Sequence, residues 1–231
     1  LGFNQTALAR GVAAQPDIIC IDGGSTDSGP FYLGTGTSKY ARSVCRSEWR
    51  ALMLARAAAG VPLVIGSCGT CGTAQTVDWM YWLTCELAAE LGQSLTIARL
   101  YSDQNVPDII AAHDAGQLSE LLPAPALDAV AIAACTHIVA LAGVEQIQAA
   151  LQTGADIVLA GRTTDTATIA ALPLSRNDHA GGAWHGAKIG ECGAFCSTNP
   201  ASGVVMISFD ETGFEVEPMA PDAVCTPQSV S

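Results

Sequence analysis

Short runs of β-branched and apolar residues alternate along the chain with longer amphipathic stretches, the spacing expected of βαβ units in a mainly parallel sheet. Five runs read as strands: 17–22, 62–65, 94–100, 137–141 and 156–160. The first, Asp-Ile-Ile-Cys-Ile-Asp, is nearly continuous in apolar residues, as a strand covered on both faces requires. Between the first two, 38–59 predicts a helix with Ser38 at its N-cap, Val44, Leu52 and Met53 turned inward, and Gly60 as its stop. Arg42, Arg46 and Arg50 then fall along one face. A second helix, 74–91, places Val77, Met80, Thr84, Leu87 and Leu91 at the helical period. Further helices are expected over 105–115, with Pro107 in the first turn, and over 144–151.

The pattern changes at Pro173, beyond which Gly, Asn and Asp dominate and two strands, 203–209 and 214–217, flank Asp210-Glu211-Thr212-Gly213 as a β-hairpin. The expected fold is α/β: an open, mainly parallel Rossmann-like sheet flanked by helices, with a C-terminal β-hairpin region. Residues 1–172 form the α/β ligand-binding domain in this reading, and 173–231 a Gly-rich segment and hairpin that complete its site. The start at Leu1-Gly2-Phe3, without Met, and the end at Ser229-Val230-Ser231 read as a chain clipped at both ends.

Composition narrows the functional classes. With 49% hydrophobic and 14% charged residues, the 231-residue chain can bury a large core, and the apolar surface left over points to a homo-oligomer. Ten Lys and Arg against 22 Asp and Glu give a net charge of −12, with no basic run anywhere. That excludes a nucleic-acid groove and disfavours an anionic membrane surface. No apolar stretch reaches the ~18–20 residues of a membrane span, since 129–142 is broken by Thr136 and His137. Nine scattered cysteines, an odd count within Val, Ile and Ala runs, read as buried thiols of a reducing, cytoplasmic compartment.

Ligands of open parallel sheets settle beyond the carboxyl ends of the strands, where loops and helix N-termini meet. Three loops suit that place. Asp22-Gly23-Gly24-Ser25-Thr26-Asp27 combines permissive glycines with carboxylates and hydroxyls, Gly66-Ser67 opens a second glycine-rich loop, and Gly161-Arg162-Thr163-Thr164-Asp165 adds a guanidinium. Together Asp22, Gly24, Ser25, Thr26, Gly66, Ser67, Arg162 and Asp165 describe a pocket for a small oxygen-rich acid, although each loop alone also fits an ordinary turn. No Walker A or Gly-x-Gly-x-x-Gly sequence follows a strand.

Two clusters carry further chemistry. Cys68-Gly-Thr-Cys71 follows a strand and opens a helix, as in thioredoxin-like redox centres. His185-Gly-Ala-Lys188-Ile-Gly-Glu191-Cys192, if helical, presents imidazole, amine and carboxylate on adjacent faces, the groups of acid–base catalysis, or else a solvated face with surface ion pairs. His113 and His179 read as helix-end or loop residues, and His137 as a core histidine.

These motifs resemble those of the acyclic terpene utilisation AtuA family. The resemblance rests on Asp22-Gly-Gly-Ser-Thr-Asp27-Ser-Gly-Pro30 with Tyr32-Leu33-Gly34, Pro62-Leu-Val-Ile-Gly-Ser67, Gly154-Ala-Asp-Ile-Val-Leu-Ala-Gly-Arg162, His185 to Gly193, and Cys225-Thr226. It implies an α/β protein of terpenoid or other carboxylic-acid catabolism, with a small ferredoxin-like domain or partner subunit. The family pattern carries small residues at the positions of Cys68 and Cys71, which argues against the redox reading.

The expected function is a catabolic enzyme acting on a small or terpenoid-derived carboxylate, a lyase or hydratase. Lys188, His185, Asp27 and Glu191 are the catalytic candidates, with Arg162 holding a substrate carboxylate and the amides around Gly24-Ser25 and Gly66-Ser67 holding an oxyanion. Asp27 or Glu191 could hold a divalent metal ion. The rival readings are a non-catalytic acid- or acyl-binding subunit that docks a partner enzyme, and a thiol redox protein using Cys68 and Cys71.

Overall fold

A computed structural model describes residues 2–24 and 30–230. Four strands form one all-parallel sheet: β1 (Ile19–Asp22), β2 (Leu63–Gly66), β3 (Ile97–Leu100) and β4 (Ile157–Ala160), in the order β1-β2-β4-β3. Register is continuous across the middle, with Ile19 opposite Leu63, Leu63 opposite Ile157, and Ile157 opposite Ile97. All four carboxyl ends therefore reach the same rim.

Alternation along the central strands creates two cores. Leu63, Ile65, Ile157 and Leu159 face the helices α3 (Arg42–Ala59) and α4 (Ala74–Leu91), where they meet Trp49, Met53, Val77, Leu83 and Leu87. Val64, Val158 and Ala160 face the opposite way, onto α7 (Val144–Gln152) and α8 (Ala167–Ser175). Burial on both faces is why these strands read as uninterrupted apolar runs. The arginine face of α3 is a ladder to α4: Arg42 and Arg46 pair with Glu86, and Arg46 and Arg50 with Glu90. Beneath it the Trp49 indole N–H donates to Thr84 Oγ1 at 2.9 Å, so the buried ring keeps its polar atom satisfied.

The C-terminal part packs a helix on a hairpin. Strands β5 (Val205–Phe209) and β6 (Phe214–Pro218) pair antiparallel, and the Asp210 carboxylate accepts from the Thr212 and Gly213 amides to close the turn. Helix α9 (Ala180–Gly190) carries Gly182, Gly186 and Gly190 at four-residue intervals toward this hairpin. A Cβ at Gly186 would stand 2.8 Å from the Phe209 ring and 2.9 Å from the Phe214 ring, so only glycine admits this close approach.

Several expectations are corrected. The run 137–141 forms no sheet strand; it makes one isolated antiparallel bridge, Asp103 to Val139, because its backbone pairs with the segment just past the carboxyl end of β3, where the Gln104 amide donates to the Ile138 carbonyl and the Ala140 amide to the Ser102 carbonyl. Ser38 is not the N-cap of α3, which begins after Ala41; the Ser38 hydroxyl donates instead to the Tyr40 carbonyl. Helices α1 (Gln5–Ala13), α2 (Phe31–Thr35), α5 (Val106–Asp114), α6 (Ala129–Ala134) and α10 (Pro227–Val230) complete the described helices; of these only α5 was anticipated. The expected boundary at 172/173 falls inside α8, which runs through Pro173. Among the described residues no helix is long and apolar enough to cross a membrane.

Candidate functional site

The rim is built by three loops that interlock through backbone groups. The Gly23 amide donates to the Gly66 carbonyl at 2.9 Å, the Ser67 amide to the Gly161 carbonyl at 2.9 Å, and the Arg162 amide to the Gly72 carbonyl at 3.0 Å. The Arg162 side chain locks the assembly: Nη1 donates to the Gly24 carbonyl at 3.0 Å and to the Thr70 carbonyl at 2.9 Å. Arg162, 6% exposed, is a buried tie between loops, at the position the sequence reads as a clamp for a substrate carboxylate.

The β2–α4 loop is strained. Ser67 and Thr70 adopt φ of 48° and 76°, a left-handed conformation that is costly for side-chain-bearing residues and most of all for a β-branched one. Gly24 lies directly on it, for a Cβ there would stand 2.3 Å from the Thr70 Cα. Among the described residues the buried Thr70 hydroxyl has no hydrogen-bond partner. Strain and an unsatisfied hydroxyl together mark this loop as held in place by its neighbours, Arg162 foremost.

Around this frame the carboxylates converge. The Asp22 side chain accepts from the Gly24 amide at 3.0 Å, and burial pushes its carboxyl up to about 6, against the pull of that amide and with Asp165 and Glu191 adding negative charge nearby. Glu191, with a side chain only 10% exposed, receives a hydrogen bond from Lys188, whose ammonium is 71% exposed and is pushed up by that partner. Cys192 stands beside Glu191, Asp22 and Asp165; burial first and those carboxylates second push its thiol up, so it stays protonated.

Asp22, Gly24, Thr70, Glu191 and Cys192 are among the residues that line a cavity of about 1010 Å³. The rest of the wall carries Ile19, Ile21, Trp49, Met80, Met206 and Ile207 from β1, α3, α4 and the hairpin, together with the charged Asp17, Lys39, Glu48 and Arg176.

Of the sequence candidates, Asp22, Gly24, Gly66, Ser67, Arg162, Asp165, Lys188 and Glu191 meet at this rim. The Gly24 and Ser67 amides are already bonded to Asp22 and Gly161, which leaves neither free for an oxyanion. His185 sits on α9 but rests edge-on against Phe214 of the hairpin, ring centroids 5.2 Å apart. Ser25, Thr26 and Asp27 lie outside the described residues. Among the described residues no group of three or more His, Cys, Asp or Glu side chains could hold a metal ion. Cys68 and Cys71 are buried, and burial pushes the Cys68 thiol up, the reverse of what thiol exchange needs. His113 and His179 are helix-end residues, bonded respectively to the Leu127 carbonyl and the Gly182 amide.

The family model described as acyclic terpene utilisation family protein AtuA matches residues 35–222. The chain belongs to the AtuA family. Searches of curated proteins and of solved structures returned no match to it. The AtuA match covers the Arg162 and Glu191 sides of the rim, while Asp22 and Gly24 precede it. Two contributors to this AtuA rim had no assigned role in the sequence: Cys192, which the family motif contained, and Thr70, whose conformation leaves no mark in composition or spacing.

Proposed function

We propose that this AtuA protein is a catabolic enzyme, a hydro-lyase that adds water to or removes it from a terpenoid-derived carboxylic acid or an acyl derivative of one. One observation carries the reading: Asp22 lines the cavity beside Ile19, Ile21 and Met80 with its carboxyl pushed up by burial to about 6. In the water-losing direction the protonated Asp22 donates to the departing hydroxyl while Glu191 takes the proton from the neighbouring carbon as the double bond forms; in the reverse direction Glu191 returns a proton to that carbon and the Asp22 carboxylate accepts one from the attacking water. Lys188 balances the charge of Glu191, and Arg162 fixes the loop that carries Gly24.

The group presented to Asp22 is a hydroxyl or a double bond and not the free carboxylate, because Asp165 and Glu191 already bring negative charge to it. The branched hydrocarbon lies along Ile19, Ile21, Trp49 and Met80.

The experiment is to incubate the purified protein in isotopically labelled water with hydroxylated and unsaturated branched acids and their thioesters. Incorporation of solvent oxygen into product supports hydration chemistry, and Asp22→Asn should abolish it. A second reading, an acyl-binding subunit that docks a partner enzyme, is favoured by the exposed Leu121, Leu122 and Val130 before and on α6. Turnover that appears only when a partner protein is added would select it.

A further inference from the structure

Two cysteines from different parts of the chain face each other. Cys196 closes the short 3₁₀ turn Gly193–Cys196, directly after Glu191 and Cys192, and Cys225 precedes α10. Their sulfurs are 3.9 Å apart. The surrounding backbone is fastened on both sides: the Thr198 amide donates to the Val224 carbonyl at 3.0 Å, the Val224 amide to Thr198 Oγ1 at 3.2 Å, and the Ser229 hydroxyl to the Cys196 carbonyl at 2.9 Å. The Asn199 amide also reaches the Asp222 carboxylate. These contacts hold the two segments in register whether or not the sulfurs are bonded.

We propose that Cys196 and Cys225 form an oxidative modification site, a disulfide made by hydrogen peroxide that fastens the C-terminal segment to the turn behind Glu191 and Cys192. Closing the gap to the roughly 2 Å of a sulfur–sulfur bond needs side-chain rotation and no rearrangement of the fastened backbone. The chemistry balances. The half-buried Cys225 sulfur attacks one peroxide oxygen, giving a sulfenic acid and one water; the Cys196 sulfur then attacks the sulfenic sulfur, displacing its oxygen as a second water. Two thiols lose two electrons, peroxide gains them, and both thiol protons end in water. Cys196 suits the second role, because burial, with the neighbouring Cys225 sulfur, pushes its thiol up to about 11 and keeps it from reacting first. Cys68 and Cys71 are buried and lack this arrangement.

The test treats the full chain with equimolar hydrogen peroxide, caps remaining thiols with iodoacetamide, and reads the unreduced digest by mass spectrometry. The expected product is a peptide pair joined through Cys196 and Cys225, lighter by two hydrogen atoms and separated by dithiothreitol. The oxidised protein should melt about 5 °C or more higher than the reduced one, since the bond closes a long loop. Cys225→Ser should lose both the cross-link and that rise, while its reduced form keeps the wild-type circular dichroism. Equal alkylation of Cys196 and Cys225 with and without peroxide would overturn the proposal, as would cross-linking of either to a different cysteine.

Discussion

Arg162 Nη1 donates to the carbonyl of Gly24 at 3.0 Å across 138 residues of chain, and the same nitrogen holds Thr70. A charged group at the end of β4 thereby fixes two loops that line the cavity. Arg162→Met keeps the length of the stem but leaves both carbonyls without their donor. It should cost about 2–4 kcal/mol of stability in denaturant unfolding, with Arg162→Lys intermediate. Equal unfolding midpoints for wild type and Arg162→Met would show that the loops hold themselves.

Asp22 links stability to pH with a definite sign. Its carboxyl titrates at about 6 in the folded chain against an ordinary 3.8, so the folded state binds the proton more tightly. Stability from this group is complete below about pH 3.8 and is lost as pH rises through about 6. Asp22→Asn escapes that loss and should melt higher than wild type at pH 7.5, by about 1–2 kcal/mol, with the difference vanishing near pH 4. Thermal melts of the two proteins across this range check it.

Helix α9 docks on the hairpin through glycines, and the two central contacts differ in what can yield. A Cβ at Gly186 meets the rings of Phe209 and Phe214, whereas one at Gly190 meets the Cδ1 of Ile207, the free end of a flexible side chain. Gly186→Ala should therefore destabilise by about 1–3 kcal/mol and Gly190→Ala by less. Urea unfolding of both variants measures the difference.

The Cys68 and Cys71 thiols serve the core. Replacing both with Ala should leave turnover within about twofold while lowering stability by about 1–2 kcal/mol, as loss of small buried groups does. A specific loss of activity with unchanged folding would return these thiols to the chemistry.

Much of the frame is visible in the pattern of apolar positions. Leu63, Val64 and Ile65 on β2, and Ile157, Val158 and Leu159 on β4, announce strands buried on both faces, and the spacing of Val77, Met80, Thr84 and Leu87 announces α4. The run 137–141 is as apolar as an edge strand, but its partner is the segment 102–104 past the end of β3, a long-range pairing that composition does not encode. Loops rich in Gly, Ser and Asp are legible as the segments that follow β1, β2 and β4, and they interlock at the carboxyl rim of the sheet. What spacing does not convey is burial: the enclosure of Arg162 between the Gly24 and Thr70 carbonyls leaves no mark in the sequence, and neither does the burial that, with Asp165 and Glu191 brought near from elsewhere in the chain, pushes the Asp22 carboxyl up. Thr70 is invisible for a further reason, since a strained φ at a β-branched residue is imposed by its surroundings.

Proton transfer by Asp22 is tested most directly by the pH dependence of water loss from a hydroxylated terpenoid acid or thioester, measured side by side for wild type and Asp22→Asn. The expected result is a wild-type kcat/KM that falls as pH rises through about 6, and at least a hundredfold lower, pH-independent rate in the variant. Wild-type rates and an unchanged pH profile in Asp22→Asn would contradict it.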